Sequence, residues 1–474
     1  MTFQTLPVQI TGGSYLSQSK PLSSQQTINF YPKSTPLAKE KFVMFSFPGL
    51  KLSGTSAGID RGLHRMAETL YQVKGQELFR IAKDGVHTSL GAIAGTDRCI
   101  MANDGLNLFI VSASSGVFKY NSDDNVITLV TDSNIVGAKS VAFINNQFIY
   151  TNDLFSVVSN VGDGSTANGL NIIGEESLPD NMVRDYIFDD IIYRASERSI
   201  VAWYNSGVGN PPIEKLQGRI FQVGLAAINS IDRTDDALYW LGDDFSIYQS
   251  SAGAKLKIST DAISNEIQGY STVSDAIANV FTIDGINFYC INFPSGGKTF
   301  VLNETLGQQG WFELSSGTNG GNYQGASFLG CYGKTFVADV SNGNVYTLDA
   351  KTYTNNGDSI KRVRTTGSVN SEPFGVNGKM IQMSKAKFIM ESGVGLISGQ
   401  GEDPRIMVEY SDDGGYTWKH GSWPRVGRLG ERTLQIEFYN LTKFYDRIFR
   451  ISTTDPVAYS IFSATIDLRL VGNG

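Results

Sequence analysis

Short apolar segments separated by glycine or Asp-Gly turns dominate the middle of the chain. Residues 69–73 and 77–81 are two such segments with Gly75 between them, and residues 108–111 and 116–120 repeat the arrangement. An apolar strand, a tight turn and a second apolar strand are typical of β-hairpins. Further pairs of this kind lie at 141–150, 237–249, 288–302 and 335–348. The pattern therefore predicts a succession of antiparallel hairpins.

The hairpins recur irregularly, at roughly the 40–50-residue spacing of propeller blades. A propeller arranges many short antiparallel strands radially and leaves only short edges exposed. At that spacing, residues 55–355 would hold about six blades. A single barrel is the second choice, because it would need strands of more even length.

The two ends of the chain differ from this middle region. Residues 1–54 contain five of the 13 prolines, which predicts an extended N-terminal arm. Residues 356–474 hold longer segments in which apolar and polar residues alternate, as expected of strands with one buried face. The predicted fold class is therefore all-β, a β-propeller with a C-terminal β-sandwich-like domain that packs with the arm.

One region has a helical pattern. Thr260 and Asp261 could cap a helix, and Ile263, Ile267 and Ile277 have helical spacing. We predict a helix over about residues 260–280, inserted between two blades.

Composition narrows the classes of function. The formal net charge is −7 and only 18% of the 474 residues are charged, so a basic face for nucleic acid is not expected. The N-terminus lacks the pattern of a signal peptide, and no apolar run has the ~18 residues of a membrane span. Cys99, Cys290 and Cys331 are far apart, which predicts buried free thiols and folding in a reducing cytosol.

The sharpest local motif is an Asp-box of the form S-x-D-x-G-x-T-W. It consists of Ser411, Asp413, Gly415, Thr417 and Trp418. The Asp carboxylate can accept backbone N–H bonds in the turn, and glycine relieves a positive φ there. We expect a structural hairpin, and we assign no catalytic, cofactor-binding or metal-binding residue.

Enzyme motifs are weak by comparison. Asp-boxes occur in sialidases, which are propellers, but here a single copy lies outside the repeats and a sialidase box lies away from the active site. Gly54, Ser56 and Gly58 match the G-x-S-x-G nucleophile elbow without its strand-and-helix context, so a hydrolase is discounted. The acidic stretches at 232–236 and 243–244 are interpreted as solvated turns, with Ca²⁺ binding as a minor alternative.

Two basic clusters lie in the C-terminal region, at 361–364 and 425–428. The plain interpretation is solvated strand ends or intrachain salt bridges. The functional interpretation is contact with an acidic neighbouring subunit. Trp423, Arg425 and Arg428 are the candidate subunit contacts.

The order of several segments resembles one family, the podovirus tail accessory factors, also called packaged-DNA stabilisation proteins. No single motif is specific, but their succession is. The segments are 28–32, 47–50, 61–63, 71–79, 237–242, 258–263, 293–313, 337–349, 411–418 and 447–456. In the family, an aromatic-x-Arg-(Leu/Val)-Gly sequence is expected just before the Arg-rich strand. In this chain the sequence occurs earlier, at 423–427.

The resemblance implies a structural virion protein without catalysis or cofactors. It implies a homohexameric ring, the nozzle or hub of a short phage tail, assembled in the host cytoplasm. Such a ring docks on the portal adaptor, or head–tail connector, and retains the packaged DNA, which passes through the lumen at ejection without sequence-specific binding. It anchors tail fibres or tailspikes, with a tail needle as a further attachment.

Two other functions remain open from the sequence alone. One is a propeller enzyme of glycan chemistry, such as a sialidase, which would need convergent carboxylates and an Arg cluster. The other is a monomeric propeller that binds a glycan or a protein. Propeller sites gather residues from distant blades, so the sequence does not assign or exclude such a site.

Overall fold

Antiparallel strands form almost all the regular structure of the chain, in a computed structural model that describes residues 2–173, 180–209, 211–440 and 442–471. The first 55 residues contribute seven strands that are spread over four sheets. These are β1 (Gln4–Val8), β2 (Tyr15–Leu16), β3 (Ser24–Gln25), β4 (Thr27–Ile28), β5 (Phe30–Ser34), β6 (Phe42–Ser46) and β7 (Gly49–Thr55).

Six blades of four consecutive strands follow, as the hairpin pattern predicts. Their strands are β8 (Asp60–Met66), β9 (Thr69–Lys74), β10 (Glu77–Ile81), β11 (His87–Ala92), β12 (Cys99–Asn103), β13 (Asn107–Ser112), β14 (Gly116–Asn121), β15 (Val126–Leu129), β16 (Ser140–Ile144), β17 (Gln147–Thr151), β18 (Ser156–Asn160), β19 (Asp163–Ile173), β20 (Met182–Phe188), β21 (Ile191–Ser196), β22 (Ile200–Asn205), β23 (Ile213–Phe221), β24 (Ile231–Arg233), β25 (Leu238–Leu241), β26 (Ile247–Ser251), β27 (Ala254–Lys257), β28 (Ile277–Ile283), β29 (Ile286–Phe293), β30 (Lys298–Asn303) and β31 (Trp311–Leu314).

A further radial sheet closes the ring between the sixth blade and the first. It contains β32 (Gly325–Cys331), β33 (Lys334–Asp339) and β34 (Asn344–Asp349), and its fourth strand is β7 from the N-terminal region. Strand β34 pairs with β7 in antiparallel register, with Leu348 opposite Leu50. The predicted β-propeller is confirmed, and this sheet joins its two ends.

Ten strands after residue 353 complete the fold. They are β35 (Thr354–Asn355), β36 (Asp358–Ser359), β37 (Arg362–Thr365), β38 (Ile381–Met390), β39 (Met407–Ser411), β40 (Lys419–Ser422), β41 (Ile436–Tyr439), β42 (Lys443–Phe444), β43 (Ile448–Thr453) and β44 (Ser460–Leu470). Two sheets, β41-β38-β44-β6-β5 and β4-β37-β43-β39-β40, enclose a core that includes Phe388, Phe438 and Phe449. The predicted sandwich-like domain is therefore present, and strands of the arm belong to both of its sheets.

Strand β4 connects the propeller to the sandwich. Ile28 pairs with Glu313 of β31 on one side and with Val363 of β37 on the other. The sixth blade and one sandwich sheet are thereby a single nine-stranded sheet. The domain boundaries at 54/55 and 355/356 stay a prediction, and strand pairing crosses both of them, since β7 pairs with β34 and β35 pairs with β36.

The helical region is shorter than expected. Helix α1 (Asp261–Gln268) starts at Thr260, whose side chain accepts from the Ile263 N–H, and ends at Gly269. Residues 277–283 are strand β28, so the prediction of a helix to residue 280 was wrong there. The cause is burial on both faces of β28, which leaves an apolar run whose periodicity does not distinguish strand from helix. Two 3₁₀ segments, Glu304–Gly310 and Glu372–Phe374, complete the helical structure of the described ranges.

The three cysteines are buried and free, as predicted. Among the described residues, no helix is both long and apolar enough to span a bilayer.

Candidate functional site

The Asp-box folds as a hairpin turn around the Asp413 carboxylate. Asp413 Oδ1 accepts from Ser411 Oγ at 2.6 Å and from the backbone N–H of Tyr416 and Thr417 at 3.0 and 2.9 Å. The Thr417 hydroxyl donates to Oδ2. These donors stabilise the ionised form, so they hold the pKa of Asp413 well below its usual range. The structure thus brings Ser411, Asp413 and Thr417 together, and the carboxylate is used within its own turn.

The hairpin also packs against the N-terminal arm. Gly414 and Gly415 both have positive φ, and an added Cβ at Gly415 would lie 3.1 Å from the Ser24 side chain. Trp418 lies under the Arg450 guanidinium, 4.0 Å from ring centroid to Cζ, and Arg450 Nε donates to Glu409 at 2.8 Å. The five predicted residues are therefore close to one another, and their structural role remains a prediction.

The three candidate subunit contacts differ in their intrachain partners and in their exposure. Arg425 Nε donates to both oxygens of Asp403 at 2.7 and 2.9 Å, and Nη2 donates to Glu431 at 2.9 Å. Arg425 therefore has intrachain partners, which agrees with the salt-bridge interpretation of this cluster. Trp423 is 58% exposed, and within the described ranges the one ion pair of Arg428 is with Glu402, at 3.8 Å.

Two loops place apolar side chains beside Arg428. Gly395 N donates to Gly427 O at 3.2 Å, which joins the 393–402 loop to the 423–432 segment. We call the exposed side chains of these two loops the loop patch. It consists of Leu396, Ile397, Trp423, Arg428 and Leu429, of which Ile397 is 87% and Leu429 62% exposed.

The other basic cluster is not solvated. Arg362 and Arg364 are both fully buried, so the interpretation of this cluster as solvated strand ends was wrong. Arg364 Nε donates to Ile10 O at 2.6 Å, and Nη1 donates to Gly13 O at 3.0 Å. The Arg364 guanidinium thus holds arm carbonyls inside the protein, while Arg362 Nη2 donates to Tyr353 O at 3.2 Å. Burial lowers the pKa of both side chains.

The G-x-S-x-G sequence lies where the ring closes. Ser56 directly follows strand β7, and its Oγ is 2.8 Å from both His87 Nδ1 and Lys74 Nζ. Lys74 Nζ also donates to Gly343 O at 2.6 Å. Sequence reasoning missed this cluster, because its members come from three separate segments.

Glycines in and around this sequence allow close backbone approach. An added Cβ at Gly54 would lie 2.0 Å from Gly85 O, and one at Gly58 would lie 2.7 Å from Gly75 N. An added Cβ at Gly343 would lie 1.6 Å from Ser56 O. The motif is followed by strand β8 rather than a helix, so the strand-to-helix context of a nucleophile elbow is absent from this described region. Its glycines serve packing between the first blade and the closing sheet.

We call Ser56, Lys74 and His87 the closure cluster. This cluster makes the free energy of unfolding depend on pH. Burial and the Lys74 charge lower the pKa of His87 from 6.5 to about 4, so the unfolded chain binds a proton at a higher pH than the folded one. The His87 contribution is present above about pH 6.5 and is lost as the pH falls toward 4. Urea unfolding should show that His87→Gln flattens this loss, by up to about 1.4 kcal/mol per pH unit.

His420→Gln is the matched control, because the His420 side chain is 79% exposed. The slope of the unfolding free energy against pH should be smaller for His87→Gln than for His420→Gln. Equal slopes for wild type and His87→Gln between about pH 4 and 6.5 would show that the closure cluster does not titrate in this way.

Within the described ranges, no group of three or more His, Cys, Asp or Glu side chains is placed to hold a metal ion. The acidic stretch at 243–244 lies in a turn, where Asp243 accepts from Gly224 N at 2.9 Å and Asp244 from the Tyr248 hydroxyl at 2.6 Å.

Comparisons with known proteins agree with this architecture. A family profile described as "Bacteriophage P22 Gp10, beta-propeller" matches residues 4–353. A sequence search of curated proteins finds no match.

Solved propellers are similar at low identity. The computationally designed Ika8 protein has 10% identity and a TM-score of 0.39, over 68% of this chain and 99% of its own. The WD40 propeller domain of Doa1 has 12% identity and a TM-score of 0.41, over 64% of this chain and 98% of its own. The Pan2 WD40 domain of Neurospora crassa has 10% identity and a TM-score of 0.43, over 65% of this chain and 97% of its own.

Proposed function

Because the chain belongs to the bacteriophage P22 Gp10 β-propeller family and is thus a phage structural protein, we propose that it forms the nozzle ring of a short tail. In this proposal six copies surround a lumen that extends the portal–adaptor channel. The ring is assembled in the host cytoplasm, retains packaged DNA, and carries tail fibres or tailspikes and a needle. The family match over residues 4–353 is the observation that carries the proposal.

The strands shared by the propeller and the sandwich support a role in which the subunit resists mechanical force. Strand β4 makes the sixth blade continuous with a sandwich sheet, and β7 closes the propeller. Forces on one part are transmitted through backbone hydrogen bonds rather than through a flexible linker. A ring that holds DNA under pressure needs subunits of this kind.

The loop patch is the surface that we assign to the neighbouring subunit. Ile397, Trp423 and Leu429 are exposed apolar side chains, and Arg428 supplies a positive charge beside them. Apolar and aromatic side chains with arginine are enriched in protein interfaces. In this proposal Arg428 contacts an acidic surface on the next copy, which a net charge of −7 is compatible with.

Native mass spectrometry of the purified full-length protein tests the ring. We expect a hexamer, or a monomer that becomes six copies when portal–adaptor complex is added. A protein that stays monomeric and ignores the adaptor would overturn the proposal. Glycan binding and hydrolysis would then be the functions to assay.

The double variant Leu429→Ser, Trp423→Ala tests the loop patch. Because the proposed ring buries these side chains between subunits, the double variant should lower the affinity of ring assembly at least tenfold. The affinity is measured as the protein concentration at which the hexamer dissociates. Leu256→Ser is the control, because Leu256 is 63% exposed on the outer strand β27 of a blade. If only Leu256→Ser dissociates the ring, the ring proposal stands and the assignment of the loop patch is wrong.

A further inference from the structure

A cavity of about 470 Å³ lies on the propeller axis. Residues of all seven inner strands line it, from Leu63 of β8 to Leu329 of β32. Polar and charged side chains reach into it beside apolar ones. The space is large enough for a small molecule of the size of a monosaccharide.

Most charges at the wall of this cavity are paired. Arg98 Nη1 lies 3.3 Å from Asp60 Oδ2, and Arg98 Nη2 donates to Ser327 at 2.7 Å. Asp185 is paired with the buried Arg194 at 3.3 Å. His64 Nε2 is 2.7 Å from Asn103 Nδ2, and burial lowers the pKa of His64 to about 4, so this ring is neutral at pH 7. None of these groups leaves a net charge on the cavity.

Arg184 is the exception. Its Nη1 donates to Ile228 O at 3.1 Å and its Cζ lies 5.1 Å from the Tyr186 ring centroid. Its Nε is buried without a hydrogen-bond partner. Within the described ranges Arg184 forms no ion pair with a carboxylate, and Asp232 is the acid whose charge acts on it. A buried cation with unused donors is costly unless an anion compensates it.

The nearest acid on this wall is occupied elsewhere. Asp232 Oδ1 accepts from the Tyr186 hydroxyl and the Arg233 N–H, both at 2.9 Å, and Oδ2 accepts from the Val280 N–H at 2.6 Å. Asp232 therefore fixes strands β20, β24 and β28 to one another. The interpretation of Asp232 as part of a solvated acidic turn was wrong. With Arg233 also on the lining, Arg184 leaves the cavity one positive charge in excess.

We propose that the propeller cavity binds one small oxyanion, a carboxylate or a phosphate monoester, on the guanidinium of Arg184. Among the described residues only Nη1 of this planar guanidinium has an acceptor, and an oxyanion accepts guanidinium donors in pairs. The bound anion compensates the charge of Arg184 and so stabilises the folded propeller. This site is independent of the ring proposal, since it lies within one chain.

Calorimetric titration and thermal unfolding of the full-length protein test the site. Sodium acetate and methyl phosphate are the probes, each compared with sodium chloride at equal ionic strength, because salts also change stability through the solvent. We expect saturable binding of at least one probe and a melting temperature several degrees above that in chloride. Acetate alone indicates a carboxylate ligand, and methyl phosphate alone indicates a phosphate ester.

Arg184→Gln should lower the affinity for the probe at least tenfold and abolish the shift in melting temperature. Arg198→Gln is the control, because Arg198 is exposed in the loop between β21 and β22 and does not line the cavity, and it should retain binding. No response of the wild type beyond chloride, or full affinity in Arg184→Gln, would overturn the proposal.

If Arg184→Gln does not fold, wild-type crystals soaked in selenate give a second test. Selenate is a tetrahedral oxyanion with an anomalous signal. A peak within hydrogen-bond distance of the Arg184 guanidinium supports the site. Peaks confined to the outer surface would indicate an adventitious ion only and would reject the site.

Discussion

Gly343→Ala is expected to destabilise the protein by about 4 kcal/mol or more, because it forces the closing sheet apart. An added Cβ at Gly343 would lie 1.6 Å from Ser56 O and 3.3 Å from Gly58 O. Both obstacles are backbone atoms, so no side-chain rotation relieves the clash. The Ser56 N–H donates to Gly343 O at 3.1 Å, and this bond and the Lys74 contact would be strained together.

Urea unfolding, followed by tryptophan fluorescence, measures this effect. Gly330→Ala is the matched control: it lies on strand β32 of the same sheet, and an added Cβ there meets nothing within 4 Å. It should change the unfolding free energy by less than about 1 kcal/mol. Similar losses for both variants would mean that ring closure does not depend on the contact between Gly343 and Ser56.

Closure was also the part of the fold that the sequence did not reveal. Each blade hairpin joins neighbouring segments through a glycine turn, so strands such as β9 and β10 could be predicted from local pattern. The pairing of Leu50 with Leu348 spans almost 300 residues and has no local signal. The proline-rich composition of the arm predicted extended backbone correctly. It did not indicate that β4 to β7 are inserted into three sheets.

The predicted site residues had the same limits. The Asp-box could be found because its contacts lie within eight residues and follow from turn chemistry. The burial of Arg364 could not, because its acceptors are carbonyls of the arm some 350 residues away. Asp232 resembled a surface turn in sequence, yet it lies on the innermost strand of a blade, where β24 has only three residues. In sequence, a charged residue of so short a strand is thus ambiguous between the surface and the propeller cavity.

The second large effect is expected at Asn29, which connects the arm, the propeller and the sandwich. Its side-chain Nδ2 donates to Ser315 O at 2.9 Å and to Lys361 O at 2.8 Å, and its Oδ1 accepts from Ser315 N at 3.1 Å. Asn29 is 2% exposed, so water does not replace these bonds. Asn29→Ala leaves one N–H and two carbonyls unpaired, which should cost about 3–5 kcal/mol.

Part of that cost comes from the backbone, since Asn29 has a φ of 54°. Asn29→Gly removes the same side-chain bonds without the left-handed penalty, so it should be less damaging than Asn29→Ala by about 1 kcal/mol. Asn145→Ala is the control for the penalty alone, because Asn145 has a φ of 49° and lies exposed in the turn between β16 and β17. It should cost about 1 kcal/mol.

Calorimetry of the Asn29 variants would show what the residue couples. Ser315 follows the last strand of the sixth blade, and Lys361 precedes β37 of the sandwich. Asn29 therefore bonds to both parts directly after β4, the two-residue strand that joins them in their shared sheet. We expect one unfolding transition in the wild type and two in Asn29→Ala, because the propeller and the sandwich then unfold separately. A single transition that only moves to lower temperature would mean that β4 maintains the coupling without this side chain. The transmission of load from sandwich to propeller would then depend on the backbone pairing of Ile28 alone.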